Sequence, residues 1–578
     1  MAKGKILFGA AYSAIEPLGL LHLGGLARDL EFDRDYSLVK NQDYTEFHKK
    51  VDHYKPEFIG FNIYTGNHKS LYRYLKKLRK EFPEIKVILG GPHPSYFPYE
   101  VSQYADFVIV SEGFAGLKAV LTGTAKKGVI PPPKTPFIFP FPDRGKFYEL
   151  YSEHRTSPIK SIITMTGCPF RCTYCYNSSN IEDISAGLPA EFIQEIGFKK
   201  LRGRLFTWNS RTVDAVLKEA KELVKTYQTK MIYFQDDVFG MKMEWLEEFA
   251  ERWPKEIGIR WHAQMRWEMT HSEAGRKRLD LCKQAGCCGL TLAIEAADPN
   301  IRAEVLDRKM QEDIIFEGMQ NAIDRGFKVR TEQITGLPCG ATSVPTKINL
   351  DADLEILELN VRLREKSGGP HLSWASTFVP YARTRLGLYS TDYGFYENKE
   401  GENWDIKDSF FDKSVLKFLR SYVGPSLKQD KNNLGLWLTE KELEHYRNQN
   451  AELRRHFNVF AYLKNGHIFA REYILKEDYS FLNLGNMIRA WTKISKKEEN
   501  EFLNKIKEIA EDENQKQILT TLSPYFLVIP GPVAFAKRFV NYGEKKGFTM
   551  NTLSDTARHH LYDYVLYYVV GEKEIENC

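Results

Sequence analysis

The sequence contains no apolar run close to the ~20 residues that a membrane-spanning helix needs. The apolar stretch near its start, Ile6 to Phe8, is also shorter than the core of a signal peptide. Net charge is low, because 81 Lys and Arg stand against 76 Asp and Glu, a balance of +5. Such a balance predicts no broad nucleic-acid-binding surface. Together these absences predict a cytoplasmic protein with neither a membrane span nor a nucleic-acid partner.

Cysteine is scarce too, and eight cysteines are too few for a disulfide framework in 578 residues. Three of them, Cys168, Cys172 and Cys175, are close together in the sequence, which favours a metal or cluster site. Hydrophobic residues make up 43% of the chain and charged residues 27%, as in ordinary globular proteins. At roughly 150 residues per domain, the length predicts about three or four domains.

Short apolar runs alternate with helical patterns over residues 1–125. The strands predicted there are Lys5–Phe8, Phe58–Ile63, Lys86–Leu89 and Phe107–Val110. Strands that alternate with helices predict a doubly wound, Rossmann-like parallel sheet, an α/β fold that binds ligands at the carboxyl ends of its strands. The loops that follow these strands are therefore the candidate binding loops.

The rest of the chain divides into three predicted parts. Residues 126–157 include Pro131-Pro132-Pro133, which predicts a stiff, extended linker. Residues 158–395 contain a second alternating series, which predicts a partial (β/α)6 barrel with its active site at the carboxyl ends of the strands. Residues 396–578 are predicted to form a mostly helical domain that caps the barrel. The predicted barrel strands are Ser161–Met165, Met231–Gln235, Ile259–His262, Gly289–Ile294, Lys328–Ile334 and Leu372–Phe378.

The cysteine loop after the first barrel strand has the spacing Cys-x3-Cys-x2-Cys, formed by Cys168, Cys172 and Cys175. Three thiolates on one short loop can hold three irons of a [4Fe–4S] cube, whereas four thiolates would close the cluster. The fourth iron is then open to another ligand. A structural zinc site is the alternative, but zinc needs four ligands, and no fourth Cys or His lies at zinc-finger spacing.

This loop resembles the signature of the radical S-adenosylmethionine (SAM) superfamily, in which an aromatic residue precedes the last cysteine. Tyr174 occupies that position and is a candidate SAM-binding residue. The resemblance implies that the amino and carboxylate groups of SAM chelate the open iron. An electron from the cluster then cleaves SAM and yields a 5′-deoxyadenosyl radical, which abstracts hydrogen from the substrate.

The same resemblance implies SAM-binding roles for side chains at other strand ends. Asp236 and Asp237 close the second strand, where the family accepts hydrogen bonds from the SAM amino group; a helix N-cap pair is the alternative. Glu295 ends the fourth strand, where family members bind the SAM ribose or methionyl group. Arg266, after the third strand, is a candidate partner of the SAM carboxylate or a member of a surface salt bridge. Cys339, just past the fifth strand, is a candidate catalytic hydrogen donor or covalent residue.

The first domain resembles the cobalamin-binding domain that precedes the barrel in one large subgroup of this superfamily. Glycines at its strand ends would let the backbone approach a bulky corrin. The sequence lacks Asp-x-His-x-x-Gly, so no histidine is assigned to the lower face of cobalt. A doubly wound domain that binds another nucleotide, or nothing, is the alternative. The predicted cobalamin-binding residues are Tyr12, Leu18, Gly19, Thr65, Gly66, His68, Gly90, Gly91, His93, Glu112 and Gly113.

The two resemblances together imply an enzyme with three cofactors: a [4Fe–4S] cluster, SAM and cobalamin. The implied reaction is methylation of an unactivated carbon in a small molecule, lipid or peptide. An oxidative cyclase resembling the anaerobic magnesium-protoporphyrin ester cyclases is one alternative, and a non-catalytic cobalamin or redox sensor is another. An RNA-modifying enzyme would predict an appended basic domain, which the near-neutral charge disfavours. An electron donor such as flavodoxin or ferredoxin and a monomeric state complete the expectation.

Overall fold

The computed structural model describes residues 2–537 and Phe539, apart from positions 14, 134–137, 338, 342–343, 347–349, 393–395, 397–438, 507–508 and 511. Most of the predicted C-terminal domain before residue 439 and after residue 539 therefore lies outside the described residues.

The first sheet has six parallel strands in the order β2-β1-β3-β4-β5-β6. Its central strands carry buried apolar side chains, since helices cover both faces of a doubly wound sheet. The predicted Rossmann-like α/β domain is confirmed. The strands are β1 (Lys5–Ala11), β2 (Asp33–Val39), β3 (Phe58–Asn62), β4 (Lys86–Gly90), β5 (Phe107–Ile109) and β6 (Gly128–Ile130).

Sequence patterning missed the two outer strands, β2 and β6. Strand β2 has the sequence Asp-Arg-Asp-Tyr-Ser-Leu-Val, and its first three residues are only partly buried because it lies at an edge of the sheet. Strand β6 has three half-buried residues and falls inside the segment predicted to be an irregular linker. That segment also contains two short helices, Arg144–Leu150 and Ser152–Thr156. Edge strands lack the continuous apolar run that identifies buried parallel strands.

The second sheet contains all six predicted barrel strands, in the order β16-β13-β12-β11-β10-β7. Observed ends differ from the predicted ones by a few residues at most. Two two-stranded pairs, β8 with β9 and β14 with β15, lie outside this sheet. The strands are β7 (Ile159–Ile162), β8 (Met165–Thr166), β9 (Asn209–Ser210), β10 (Met231–Phe234), β11 (Arg260–Met265), β12 (Cys287–Glu295), β13 (Lys328–Thr335), β14 (Cys339–Ala341), β15 (Val344–Thr346) and β16 (Leu372–Thr377).

Helices connect the strands of both sheets, and further helices form the described part of the tail. Those up to the third strand of the second sheet are α1 (Leu18–Asp29), α2 (Thr45–Tyr54), α3 (His68–Glu81), α4 (Pro92–Tyr96), α5 (Pro98–Val101), α6 (Phe114–Leu121), α7 (Arg144–Leu150), α8 (Ser152–Thr156), α9 (Ile181–Ser185), α10 (Ala190–Glu195), α11 (Val213–Thr226) and α12 (Met243–Glu256). The others are α13 (Ser272–Gln284), α14 (Glu312–Asp324), α15 (Leu350–Ser367), α16 (Arg385–Asp392), α17 (Glu440–Tyr462), α18 (Gly466–Leu475), α19 (Phe481–Thr492), α20 (Lys496–Ile506), α21 (Glu513–Thr521) and α22 (Ser523–Leu527).

The chain forms two compact units. The first comprises residues 1–239, 255–257 and 379–408, and so includes the whole first sheet together with β7, β10 and the cysteine loop. The second comprises residues 240–254, 258–378 and 409–578. The cysteine loop thus belongs to the same compact unit as the Rossmann-like sheet.

Within the second unit, tail helix α17 is bonded to barrel elements. Asp353 of α15 accepts hydrogen bonds from the backbone N–H of Gly336, the hydroxyl of Tyr446 and the amide of Asn450, at 3.0, 2.9 and 2.7 Å. Asn458 accepts a hydrogen bond from the backbone of Ser373 in β16. These buried bonds attach the beginning of the described tail to the turn after β13.

Within the first unit, a buried ion network joins the Rossmann-like sheet to the first barrel strand. Arg144 donates to Glu16 at 2.7 Å, to Glu219 at 2.6 Å and to the carbonyl of Ser161 in β7. Arg211 donates to the other oxygen of Glu219 at 2.6 Å. Burial alone would raise the pKa of Glu219, but Arg211 and Arg144 outweigh it and lower that pKa to about 2. The network therefore fixes β7, and the cysteine loop that follows it, against the loop after β1.

We expect Arg144→Met to destabilise the protein by about 3–5 kcal/mol, because it removes the arginine that pairs with the buried carboxylate of Glu16 and one of the two arginines that pair with Glu219. Thermal unfolding measures the loss. The matched control is Lys146→Met on the same helix, since Lys146 makes only a long surface pair with Glu149 at 3.7 Å. Equal melting temperatures for the two variants would contradict a structural role for the network.

Candidate functional site

A cavity of about 340 Å³ lies in the first unit, between the strand ends of the Rossmann-like sheet and the loop that follows β7. Its size is within the range of small-molecule sites. The Rossmann-like domain, with its strands, helices and loops, contributes Phe8, Gly19, Leu20, Leu23, Gly60, Phe61, Asn62, Tyr64, Ile88, Gly90, Gly91, Pro92, Ile109, Ser111, Glu112, Gly113, Phe114 and Leu117. The barrel segment contributes Ile163, Thr166, Gly167, Tyr176, Asn177, Phe206, Thr207, Gln235 and Asp237.

Glycines make the first-sheet side of this cavity an open backbone cradle. Gly91 has φ of +103°, and a Cβ there would lie 2.1 Å from Oδ1 of Asn62, so a larger residue does not fit. At Gly19 the opposite holds, because a Cβ would meet nothing within 4 Å and would extend into free space. A flat macrocycle can lie close to the protein backbone only where side chains are absent, and it packs against apolar groups. The cradle therefore fits a corrin.

The predicted cobalamin-binding residues fall into two groups. Gly19, Gly90, Gly91, Glu112 and Gly113 line the cavity. Glu112 also accepts hydrogen bonds from the backbone N–H groups of Phe114 and Ala115 at the start of α6.

The second group lies away from the cavity lining. Tyr12 is partly exposed, with the ammonium group of Lys40 4.4 Å from its ring centre, and Leu18 is buried at the start of α1. Thr65 is buried, and its hydroxyl pairs with Nδ1 of His93 at 3.0 Å. The backbone N–H of Gly66 donates to Nδ1 of His68 at 3.0 Å.

His68 and His93 are fully buried and stack on each other, with ring centres 4.0 Å apart and planes 20° apart. With Glu100 they bring three potential metal-ligand atoms within 4.8 Å of one another. A metal ion must lie in the plane of each imidazole, about 2 Å from nitrogen. The nitrogen lone pairs of two stacked imidazoles lie in two nearly parallel planes, so they cannot both be directed at one ion. The pair instead supports the loops after β3 and β4, and burial lowers the pKa of His93 to about 3.

The cysteine loop begins after β8 with Gly167, whose φ is +71° and whose Cβ would lie 2.7 Å from the carbonyl oxygen of Thr207. Cys168 and Cys172 are buried, and Cys175 is half-buried. The backbone N–H of Cys175 donates to the carbonyl of Cys172 at 3.2 Å, which closes the loop into a turn. The spacing thus brings the three thiols together on one compact loop.

The surroundings of Cys175 favour its neutral thiol over the thiolate. Burial, then the charge of Asp237, raises the pKa of Cys175 well above its usual value, and Cys172 and Cys168 raise it further. Metal binding requires thiolates, and the metal–sulfur bonds offset the cost of deprotonating a buried thiol. Three cysteine thiols on one short loop are the donor set of a [4Fe–4S] cube with one open iron, and the residues fit that group.

Asp236 is fully buried behind the cysteine loop. Its Oδ1 accepts hydrogen bonds from the backbone N–H groups of Thr164 and Met165 at 2.6 and 3.0 Å, and its Oδ2 accepts one from the Thr164 hydroxyl at 2.5 Å. Burial raises the pKa of Asp236 to about 7 despite these bonds. Its carboxylate is thus engaged in positioning the strand end from which the cysteine loop starts.

We expect Asp236→Asn to remove a pH dependence of stability. An aspartate titrates near 3.9 in an unfolded chain, but Asp236 titrates at about 7 in the fold. Between these values the folded protein retains a proton that the unfolded chain has released, so its stability falls as the pH rises. The amide keeps one acceptor for the N–H groups and donates to Thr164, so the variant folds without this loss, about 4 kcal/mol across the window.

Thermal unfolding of the wild type and of Asp236→Asn at pH 4.5 and pH 8 measures this effect. The control variant is Asp52→Asn, since Asp52 is exposed on α2. The wild type should lose stability relative to Asp236→Asn at the higher pH. Parallel melting profiles would contradict the assignment of a raised pKa to Asp236.

Asp237 points into the cavity, where its carboxylate is open to the cavity interior although protein surrounds it. Burial raises its pKa, and the polar side chain of the neighbouring Asn177 opposes that rise. The charge of Asp237, and then burial, raises the pKa of Tyr176 well above its usual value. Asp237 therefore places a negative charge beside the cysteine loop, as a cationic amino group requires.

In the second unit, both predicted SAM-binding side chains have charged partners. Arg266 pairs with Glu268, with Nε 3.2 Å from Oε2, and both lie just after β11. Glu295 ends β12 with φ of +71° and accepts a hydrogen bond from Arg308 at 3.2 Å. Cys339 begins β14 and pairs with Thr346; its side chain lies outside what the structure describes. The SAM-binding role of Tyr174 stays a prediction from the sequence.

Sequence reasoning missed several residues that line the cavity. Tyr176 and Asn177 directly follow the last cysteine, so their position was a usable signal. Tyr64 follows β3 at the strand end and carried the same signal. Phe206 and Thr207 come from a stretch without helical or strand periodicity, and nothing in the local sequence marks them.

Comparisons with known protein families match two parts of the chain. The B12 binding domain family matches residues 4–121, and the radical SAM superfamily matches residues 162–339. An uncharacterized methyltransferase of Pyrococcus horikoshii is 23% identical over 405 residues, which cover 65% of this chain and 78% of that protein. The hopanoid C-3 methylase of Methylococcus capsulatus is 23% identical over 192 residues, 29% of this chain and 37% of that protein.

A solved structure with a similar fold is that of the radical SAM methyltransferase TsrM from Kitasatospora setae, with cobalamin and a [4Fe–4S] cluster bound. The alignment covers 82% of this chain and 99% of TsrM, with a TM-score of 0.51 and 13% identity. At that identity the likeness concerns the fold. In the part of the chain that the structure describes, none of the helices has the length and apolar character to cross a membrane.

Proposed function

Because the chain belongs to the radical SAM proteins that carry a B12-binding domain, we propose that it methylates an unactivated carbon of its substrate. The observation that carries this proposal is a cavity of the first unit that is lined both by the glycine cradle and by residues flanking the cysteine loop. Two cofactors that must exchange a methyl group or act on one carbon need such a shared space. The hopanoid C-3 methylase and the methyltransferase relatives support a methyl-transfer reaction.

The cofactors are a [4Fe–4S] cluster on Cys168, Cys172 and Cys175, SAM beside them, and cobalamin in the glycine cradle. When bound, they supply a 5′-deoxyadenosyl radical that removes hydrogen from the substrate carbon, and a methyl group on cobalt that the carbon radical takes up. Each turnover consumes a second SAM to restore that methyl group.

The protein's own residues would bind and orient these groups. Asp237 offers a carboxylate to the SAM amino group, and Asp236 holds the strand end that supports the cysteine loop. Gly91 and Gly113 leave the backbone accessible to the corrin, and Phe8 and Phe61 exclude water from the cavity. The SAM-binding roles of Glu295 and Arg266 stay predictions from the sequence.

The proposal extends to the substrate class, the electron donor, the oligomeric state and the cellular location. The substrate is a small molecule, a lipid or a peptide. A flavodoxin or ferredoxin supplies the electron, and the protein acts as a monomer in the cytoplasm, where an oxygen-poor and reducing interior protects the cluster.

The proposal is tested by anaerobic reconstitution with iron, sulfide and cobalamin, followed by SAM with a trideuterated methyl group and a reductant. This experiment needs no substrate, since methylation of reduced cobalamin already releases S-adenosylhomocysteine. We expect one deuterated methyl group on cobalt for each S-adenosylhomocysteine, and 5′-deoxyadenosine as a second product. Deoxyadenosine without any methylation of cobalamin would overturn methyl transfer in favour of a cyclase-type reaction. Binding of the cofactors with neither product would favour a sensor.

A further inference from the structure

We propose that Arg204 is a positioning residue for the iron–sulfur cluster: its guanidinium clamps the cysteine loop and raises the reduction potential of the cluster bound there. The inference rests on the proposed function in so far as the loop holds a cluster. It concerns a residue 29 positions beyond the last cysteine, in a stretch without regular secondary structure.

The clamp consists of three consecutive backbone carbonyls directed at one guanidinium. Nη1 of Arg204 donates to the carbonyl oxygens of Cys168 and Phe170, the latter at 2.8 Å. Nη2 donates to the carbonyl oxygen of Pro169 at 2.6 Å. These three residues span most of the segment between the first two cysteines. A planar fork with several donors is suited to this task, whereas a lysine ammonium is a single point of contact.

The clamp also fixes the direction of the peptide groups. In a trans peptide the N–H points opposite to the C=O. Because the carbonyls of Pro169 and Phe170 face Arg204, the N–H groups of Phe170 and Arg171 face away from it. Hydrogen bonds to cluster sulfurs and the net charge nearby are both determinants of cluster potential. Arg204 therefore orients these N–H groups through its fork, and it acts on the cluster potential through its charge.

The charge effect has a definite sign. Arginine stays protonated at all ordinary pH values, and its guanidinium contacts the backbone of the first cysteine. Reduction adds one negative charge to the cluster, which a neighbouring cation stabilises, since the interaction falls only as the inverse of distance in a partly buried site. Loss of the cation should therefore shift the potential to more negative values.

The residues that follow Arg204 connect the clamp to the cobalamin side of the cavity. The carbonyl of Leu205 accepts a hydrogen bond from the Ser111 hydroxyl, at the end of β5. Phe206 packs edge-on against the rings of Tyr176 and Tyr96, at centroid distances of 5.5 and 6.2 Å. The segment 204–207 thus contacts both the cysteine loop and the Rossmann-like domain.

The test compares the variants Arg204→Gln and Arg204→Lys with Arg202→Gln, a change at an exposed arginine two residues earlier. The first readout is the cluster midpoint potential, from a redox titration followed by electron paramagnetic resonance. We expect a more negative potential in Arg204→Gln, and a potential near the wild-type value in Arg204→Lys and Arg202→Gln. The lysine variant matters because it keeps the charge and loses the fork.

The second readout is hydrogen exchange of the segment 168–175 in the cluster-free protein. We expect exchange about tenfold faster in both Arg204 variants, because local opening becomes easier once the clamp is lost. Faster exchange with an unchanged potential in Arg204→Gln would reduce Arg204 to a purely structural role and overturn the proposal. If Arg204→Gln does not hold a cluster, the other two results decide. Unchanged hydrogen exchange in both Arg204 variants would overturn the proposal. A shifted potential in Arg204→Lys would disprove the charge effect. Failure of the wild type itself to bind a cluster would contradict the proposed function instead.

Discussion

Cys172→Ala should abolish the cluster and, with it, SAM cleavage. The variant keeps two of the three sulfur donors, and two thiolates leave two irons of the cube without protein ligands. We expect the cluster absorbance to disappear after reconstitution and 5′-deoxyadenosine formation to fall by about 100-fold or more, as for loss of a metal ligand rather than of its outer support. Cobalamin should still bind, since its cradle lies on the first sheet.

The matched control is Cys282→Ala, another buried cysteine, which lies on α13 in the second unit. Burial raises the pKa of its thiol to about 12, as for an inert structural cysteine. This variant should keep full iron content and full cleavage. Retained cleavage in Cys172→Ala, or iron loss in the control, would refute the assignment of the ligands.

Gly19→Leu should block cobalamin without harming the fold. Gly19 lies in α1, lines the cavity, and has nothing within 4 Å of the position that a Cβ would take. Leucine favours the helix more than glycine does, so the melting temperature should not fall. Its side chain enters the space assigned to the corrin, which should weaken cobalamin binding about 10- to 100-fold. Methyl transfer should be lost while the cluster and deoxyadenosine formation remain.

Gly145→Leu provides the control for this change. Gly145 is exposed on α7, also has nothing within 4 Å of its Cβ position, and does not line the cavity. It tests the effect of adding a large apolar side chain to a helix elsewhere in the unit. Equal cobalamin retention by the two variants would place the corrin away from the glycine cradle.

The strands were the most predictable part of the fold. Parallel strands buried on both faces appear as uninterrupted apolar runs, and every predicted strand corresponds to an observed one. The edge strand β2 lacked that signal because its Asp33, Arg34 and Asp35 are only partly buried. Proline content suggested that residues 126–157 were irregular, but α7 begins after the last of these prolines and carries Arg144.

The site was less predictable, because its polar groups are bonded over long sequence distances. Arg144 and Glu16 are separated by 128 residues, and Arg204 lies 36 residues from Cys168, so no local pattern pairs them. The strand-end rule predicted that Asp236 and Asp237 follow the second barrel strand but gave no indication that Asp236 bonds to the backbone while Asp237 lines the cavity. His68 and His93 show the same limit, since burial and ring stacking depend on the packing of α3 and α4.

The account depends on an iron cube that is bound by only three protein sulfurs. The most direct test is Mössbauer spectroscopy of ⁵⁷Fe-reconstituted protein before and after addition of SAM. We predict that one iron in four changes its isomer shift when SAM is added, because that iron gains nitrogen and oxygen ligands, while the other three stay unchanged. Four equivalent irons whose isomer shifts do not change when SAM is added would contradict the account. Zinc in place of iron in anaerobically purified protein would contradict it as well.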